Sequence, residues 1–241
     1  MTGTLHGVGL GPGDPDLVTV KATRVLERVD VVAYFAKAGR LGYARGIAGR
    51  WLKQGCTEMP LYYPVTTEVH FEHPSYAAQL GQFYAHAAER LALHLEAGRD
   101  VALICEGDPF FYGSFMHLYW RLKPRFPCQV VPGVTGMSGC WTAAGAPMTW
   151  GDDTLTVLPG TLPAAALRDR LAGADAVVVM KVGQHLPKVR AVLDAAGLLG
   201  RALYVERGSM EAEVVMPLAA KRDDEAPYFA IILVPGQGRR P

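Results

Sequence analysis

The stretch Val101-Ala102-Leu103-Ile104-Cys105-Glu106-Gly107-Asp108-Pro109-Phe110-Phe111-Tyr112-Gly113-Ser114-Phe115 joins a buried strand to a helix through a turn built to face a ligand. Val101 to Ile104 is an apolar run of strand length, and Phe115 to Leu122 carries apolar residues at helical spacing. Between them Gly107-Asp108-Pro109 makes a turn at the strand's carboxyl end, with aromatic residues directly behind it. In open α/β sheets, the crevices outside the carboxyl ends of the strands are where ligands bind. Two more segments accompany this loop: the glycine-rich Gly7-Val8-Gly9-Leu10-Gly11-Pro12-Gly13-Asp14-Pro15, and Val130-Val131-Pro132-Gly133-Val134-Thr135. The three together are far harder to obtain by chance than any one of them.

Working outward, strands and helices alternate on both sides of this loop. Upstream, strands are expected at Thr4 to Leu10, Val29 to Phe35 and Cys56 to Leu61, with helices at Asp16 to Arg28 and Tyr43 to Leu52. Tyr62 to Pro74 is polar, aromatic and irregular. Ser75 reads as the N-cap of a long helix to Glu96, followed by Gly98 as a stop. Downstream, Phe126 to Val131 closes a parallel α/β half, and Pro132-Gly133 marks the junction between domains 1-132 and 133-241. In the second half, strands are expected at Thr154 to Leu158, Ala176 to Met180 and Ala202 to Glu206. Helices are expected at Thr135 to Ala144, Pro163 to Leu171 and His185 to Ala195. Ala212 to Leu218 and Tyr228 to Val234 read as two strands paired across the charged turn Lys221 to Glu225. The fold class is therefore α/β, in two domains, the second with an antiparallel finish.

Composition limits the function classes. The chain has 241 residues, 50% hydrophobic and 20% charged, which suits a globular protein with ample core. A net charge of +1 gives no overall pull toward nucleic acid or a membrane surface. The four cysteines form no Cys-x-x-Cys pair and read as buried thiols of a reducing compartment, not as a disulfide framework or metal site. No basic leader with an apolar core opens the sequence, and no apolar run approaches the ~18 residues of a membrane span. A cytoplasmic location is expected.

The glycine-rich turn invites a dinucleotide reading and fails it. Counting G-x-G-x-x-G from Gly7 places Pro12 at the last position, and from Gly9 places Asp14 there. No Gly-Lys-Ser/Thr follows, so it is not a P-loop either. On its own it signals a tight turn with positive φ.

In order and combination, Gly7-x-Gly9-x-Gly11-Pro12-Gly13-Asp14 with Leu17 and Thr19, Gly107-Asp108-Pro109 and Pro132-Gly133-Val134-Thr135 resemble the tetrapyrrole methylase family. Val179-Met180-Lys181 and Glu206-Arg207-Gly208 extend the resemblance over essentially the whole chain. It implies two α/β domains with an active-site trough between them. It also implies a homodimer, S-adenosylmethionine bound in a folded conformation and S-adenosylhomocysteine as its product; no metal is expected, since no metal-ligand spacing such as His-Glu-x-x-His appears. The segment from Asp108 to Leu118 is similar to the pattern of the precorrin-2 C-20 methyltransferases. Uroporphyrinogen methylases carry Arg and Glu where Ser114 and His117 stand.

The resemblance places Pro12, Glu106, Gly107, Asp108, Phe111, Thr135, Gly136, Met180 and Gly208 at the cofactor. Several have a plainer reading: Pro12 and Gly208 as turn residues, Asp108 as the cap of its own turn, Phe111 as core, Thr135 as a helix cap, Met180 as a strand-end core residue. Gly9, Lys37, Arg40, Arg45, Ser114 and Lys181 are candidates for the tetrapyrrole substrate, because cations after strand ends suit its carboxylates. His117 and Tyr112 are the catalytic candidates, with a structural His as the alternative. No Ser-His-Asp or Cys-His relay is visible, and methyl transfer to an enamine-like carbon calls for alignment instead. Three alternatives stay open: the cobalt-loaded form of the substrate, a nucleotide-binding module without chemistry, and a nicotinamide dehydrogenase.

Overall fold

The computed structural model describes residues 1–64 and 74–238, without the side chains of 74 and 75. His70, His73, most of the irregular segment and the last three residues lie outside the described set. The chain forms two compact units, Met1–Thr135 and Gly136–Pro241.

The first unit is a sheet of five parallel strands: β1 (Leu5–Gly9), β2 (Val31–Ala36), β3 (Thr57–Tyr62), β4 (Val101–Cys105) and β5 (Cys128–Val131). Their order is β3-β2-β4-β1-β5. The helices are α1 (Val20–Leu26), α2 (Tyr43–Ala48), α3 (Pro74–Glu96) and α4 (Phe115–Leu122). Strand alternation sorts them between the two faces. Val8, Val32, Ala102 and Ile104 pack with α1 and α2; Leu5, Ala33, Leu103 and Cys105 pack with α3 and α4. Covered on both sides, β2 and β4 are continuously apolar, as central parallel strands are. Neighbouring β1 and β4 thus send their chains to opposite faces of the sheet, and the loops that leave them diverge. That is the condition for a ligand crevice.

The expected helix from Asp16 to Arg28 is broken. A single 3₁₀ turn spans Pro15–Leu17, Val18 is extended, and α1 starts only after Thr19, whose hydroxyl accepts the Ala22 N–H. Two good N-caps, Asp14 and Thr19, stand five residues apart, and each starts its own turn.

The second unit is a mixed sheet of β6 (Leu155–Pro159), β7 (Ala176–Met180), β8 (Leu203–Glu206), β9 (Val214–Pro217) and β10 (Ala230–Val234), in the order β6-β7-β10-β8-β9. Helices α6 (Ala164–Leu171) and α7 (Leu186–Ala195) cover one face, and α5 (Gly136–Ala143) packs on the other. The antiparallel finish is present, but the expected partnership of its two strands is not. β10 inserts antiparallel between β7 and β8, and β9 pairs with β8 at the edge. The reason is burial. Every residue of β10 is buried, as a central strand requires, whereas β9 alternates between half-buried and exposed, as an edge strand does.

Candidate active site

The three sequence motifs meet at the carboxyl edge of the first sheet, where β4, β1 and β5 lie side by side. They meet through backbone. The Gly107 N–H donates to the Gly11 carbonyl at 2.7 Å, and the two residues form an isolated antiparallel bridge. A Cβ on Gly9 would stand 2.6 Å from both the Gly107 oxygen and the Gly133 nitrogen, and one on Gly133 would stand 2.1 Å from the Gly107 oxygen. Any side chain at Gly9 or Gly133 would force these loops apart. Gly11 and Gly107 also adopt φ of +79° and +63°, the left-handed region that glycine enters freely. Pro12 is buried within this turn.

Asp108 ties the junction together. One carboxylate oxygen accepts the Phe110 N–H at 2.8 Å and closes its own turn; the other accepts the Gly133 N–H at 3.1 Å. The plainer reading of this residue, a turn cap, describes its observed bonds, and it adds a clamp between two loops. The neighbouring Glu106 is half-buried and reaches the other way. Its Oε1 accepts the Ala44 N–H at 2.9 Å, in the first turn of α2. Burial pushes the Glu106 carboxyl above the ordinary carboxylate range, only partly offset by these backbone bonds.

Behind the turn, Phe111 is half-buried, and its ring meets Tyr112 edge-on at 4.9 Å. Tyr112 is exposed and held at φ +53°. Ser114 begins α4, and its hydroxyl accepts from Tyr63 Oη at 2.7 Å and Tyr84 Oη at 3.0 Å. His117, one turn on, stacks on Tyr84 with ring centres 4.3 Å apart. Partial desolvation first, and the Arg121 charge second, lower its pKa below the ordinary histidine value.

The basic candidates divide. Lys37 and Arg40 are exposed on the loop after β2. Arg45 is engaged: its Nε and Nη2 donate to both carboxylate oxygens of Glu58 at 2.6 and 2.7 Å. Thr135 is the last residue of the first unit and half-buried.

In the second unit, Gly136 opens α5, and a Cβ there would meet nothing within 4 Å. Met180 ends β7, half-buried against the cluster that includes Cys140 and Val178. Lys181 follows at φ +55° and Arg207, after β8, at φ +49°. Non-glycine residues in this region cost about 1–3 kcal/mol each and gather at functional sites. Gly208 is packed so closely on α5 that a Cβ would lie 2.8 Å from the Cys140 Cα. Its glycine is explained by that helix contact.

Tyr63, Tyr84 and Glu58 were invisible as site neighbours in the sequence. The two phenols stand 51 and 30 residues before the Ser114 they bind, and no short spacing links them. Among the described residues no cluster of three or more His, Cys, Asp or Glu could hold a metal, and no helix is long and apolar enough to cross a membrane.

Residues 4–221 match the family Tetrapyrrole (Corrin/Porphyrin) Methylases, and the chain belongs to it. A precorrin-2 C(20)-methyltransferase from Sinorhizobium sp. is 56% identical over 239 residues, covering 99% of this chain and 98% of the relative. A cobalt-precorrin-2 C(20)-methyltransferase from Salmonella typhimurium is 29% identical and covered to 97% on both sides. Among solved structures, uroporphyrin-III C-methyl transferase from Thermus thermophilus, complexed with S-adenosylhomocysteine, aligns with a TM-score of 0.68 and 25% identity. That alignment covers 97% of this chain and 92% of the other. The two-sheet α/β fold and the methyltransferase class follow from these likenesses.

Proposed function

We propose that this protein transfers the methyl group of S-adenosylmethionine to C-20 of precorrin-2, giving precorrin-3A in corrin synthesis. The observation that carries the reading is the near-complete match, at more than half identity, to the Sinorhizobium enzyme. The cobalt-precorrin enzyme of Salmonella is much more distant, which favours the metal-free substrate.

The donor set suits the cofactor. Its sulfonium and ammonium are cationic, and the first unit turns the Asp108 carboxylate and the backbone from Glu106 to Asp108 to the loop junction, while the Glu106 carboxyl is held by the Ala44 N–H. Gly136 leaves open space beside its backbone for close approach. We assign Pro12, Glu106, Gly107, Asp108, Phe111, Thr135, Gly136, Met180 and Gly208 to the cofactor. When bound, S-adenosylmethionine supplies an electrophilic methyl that needs no acid to activate it.

The chain's own task is alignment. Gly9 keeps the junction closed, while Lys37, Arg40 and Lys181 pair with substrate carboxylates as flexible or forked cations. Arg45 joins that set only by exchanging its Glu58 partner. His117 is the group we assign to receiving the C-20 proton, and Tyr112, an exposed residue, is assigned to relaying it to water. The reading extends to a cytoplasmic homodimer. The thiols of Cys105 and Cys140 are buried and pushed up, Cys140 to about 11, which suits a reducing compartment.

The test is incubation with precorrin-2 and with cobalt-precorrin-2, using methyl-labelled cofactor, followed by location of the new methyl carbon. Label at C-20 of the metal-free ring is expected. No transfer to any reduced tetrapyrrole would end the proposal.

A further inference from the structure

Ser114, Tyr63 and Tyr84 bring three hydroxyls together from three elements: the end of β3, the middle of α3 and the start of α4. Donor strength gives the cluster a direction. A phenol is a better donor than an alcohol, and an alcohol oxygen is the better acceptor, so both tyrosines give their protons to Ser114 Oγ at 2.7 and 3.0 Å. A hydroxyl oxygen has two lone pairs, and both are then filled. What Ser114 retains is its own proton.

The cluster is also stiff. Tyr84 is 6% exposed and stacked on His117 at 4.3 Å, and burial pushes its phenol up over the opposing hydrogen bonds with Ser114 and Tyr63. Tyr63 stacks on Phe35 at 5.3 Å. Ser114 itself is half-buried, six residues after Asp108, whose carboxylate clamps the loop junction. The Arg121 guanidinium lies 5.9 Å from the Tyr84 ring centre and adds positive charge beside the group.

We propose that Ser114 is preset as a hydrogen-bond donor to a carboxylate of the tetrapyrrole, and that Tyr63 and Tyr84 are the positioning residues that fix its direction. This inference rests on the functional reading above and adds to it two residues and a polarity. A preset donor costs little ordering at binding, and a donated bond to an anionic oxygen is among the stronger kinds.

The experiment compares wild type, Ser114→Ala, Tyr63→Phe, Tyr84→Phe and the Tyr63→Phe/Ser114→Ala pair in methyl transfer to precorrin-2. Melting curves and S-adenosylhomocysteine titrations accompany each. Loss of the donor should raise KM for precorrin-2 about tenfold, the size expected for one bond to a charged group. The S-adenosylhomocysteine Kd should stay within about twofold of wild type. Tyr63→Phe removes one oxygen and should raise the same KM by about threefold to fivefold in the wild-type background, but not further in the Ser114→Ala background.

An unchanged KM in Ser114→Ala, or an equal Tyr63→Phe effect in both backgrounds, overturns the inference while leaving the methyltransferase reading intact. Wild type that methylates no reduced tetrapyrrole overturns both. If Tyr84→Phe melts early because the buried hydroxyl bond to Ser114 is lost, the Tyr63→Phe pair still decides.

Discussion

The two units reach a similar arrangement by different topologies. In the first, five strands run parallel, so every strand delivers its following loop to one edge. In the second, β6 pairs parallel with β7, and β7 and β8 share that direction because β10 runs against both from between them. Their carboxyl ends, Pro159, Met180 and Glu206, still fall at one edge, with Lys181 and Arg207 just beyond at positive φ. The difference lies in how the loops are held. In the first unit they are locked by backbone contact at Gly9, Gly107 and Gly133. In the second, strained residues stand at strand ends, and Gly136 faces open space. A tight junction makes residues intolerant of added atoms; an open one makes them tolerant in the fold and sensitive only in function.

Gly133 and Gly136, three residues apart, are the sharpest pair on which to break this contrast. Gly133→Ala places a Cβ 2.1 Å from a carbonyl oxygen and should cost about 3 kcal/mol or more, read as a large fall in the melting temperature. Gly136→Ala should be neutral in stability or slightly stabilising, since alanine suits a helix better by up to about 1 kcal/mol, yet it should weaken S-adenosylhomocysteine binding in calorimetry. Equal melting temperatures for the two variants would remove the distinction.

Asp108→Ala should come next. It strands the Phe110 and Gly133 N–H groups and should cost about 1–3 kcal/mol in denaturant unfolding, whereas Asp108→Asn retains one acceptor and should cost less.

Acid should weaken the first unit. His6 is buried, and that burial, over the opposing pull of Asp100 and with help from Arg28 and Lys21, lowers its pKa below 6.5. The unfolded chain therefore takes the proton first. The contribution to stability is full above pH 6.5 and falls as pH drops toward the lowered folded value. His94 and His117 shift the same way for the same leading reason. A melting series from pH 7.5 to about 5 should show a slope that His6→Gln reduces.

The smallest effect belongs to Arg45→Ala, which should cost no more than about 1 kcal/mol because its Glu58 pair is partly exposed. Its KM for substrate should change less than that of Arg40→Ala. A larger KM change in Arg45→Ala would mean that Arg45 leaves Glu58 for the ligand.

Much of this was legible in the sequence because glycines and apolar runs carry local meaning. Val101 to Ile104 could be read as a buried strand from its composition alone, and the three glycine-bearing loops follow the strands β1, β4 and β5. What escaped was pairing at a distance. An apolar run reports burial but not the neighbour, so β10 was expected beside β9 and stands instead between β7 and β8. Asp108 and Arg45 show the same limit at the site. Their residue types suit a ligand, but the partners they hold, the Gly133 N–H and Glu58, are set by the folded chain. The broken helix at Val18 was local, and two competing N-caps were its available signal.

The central place of β10 has a consequence for how the chain is made. Every strand of the first sheet has been synthesised by Val131, so that unit can fold while the rest is still on the ribosome. The second sheet has no such freedom: until Ala230–Val234 emerges, β7 and β8 lack the strand that joins them, and their apolar edges wait unpaired. A stalled or clipped nascent chain ending before residue 230 should therefore carry one finished unit and one prone to aggregate.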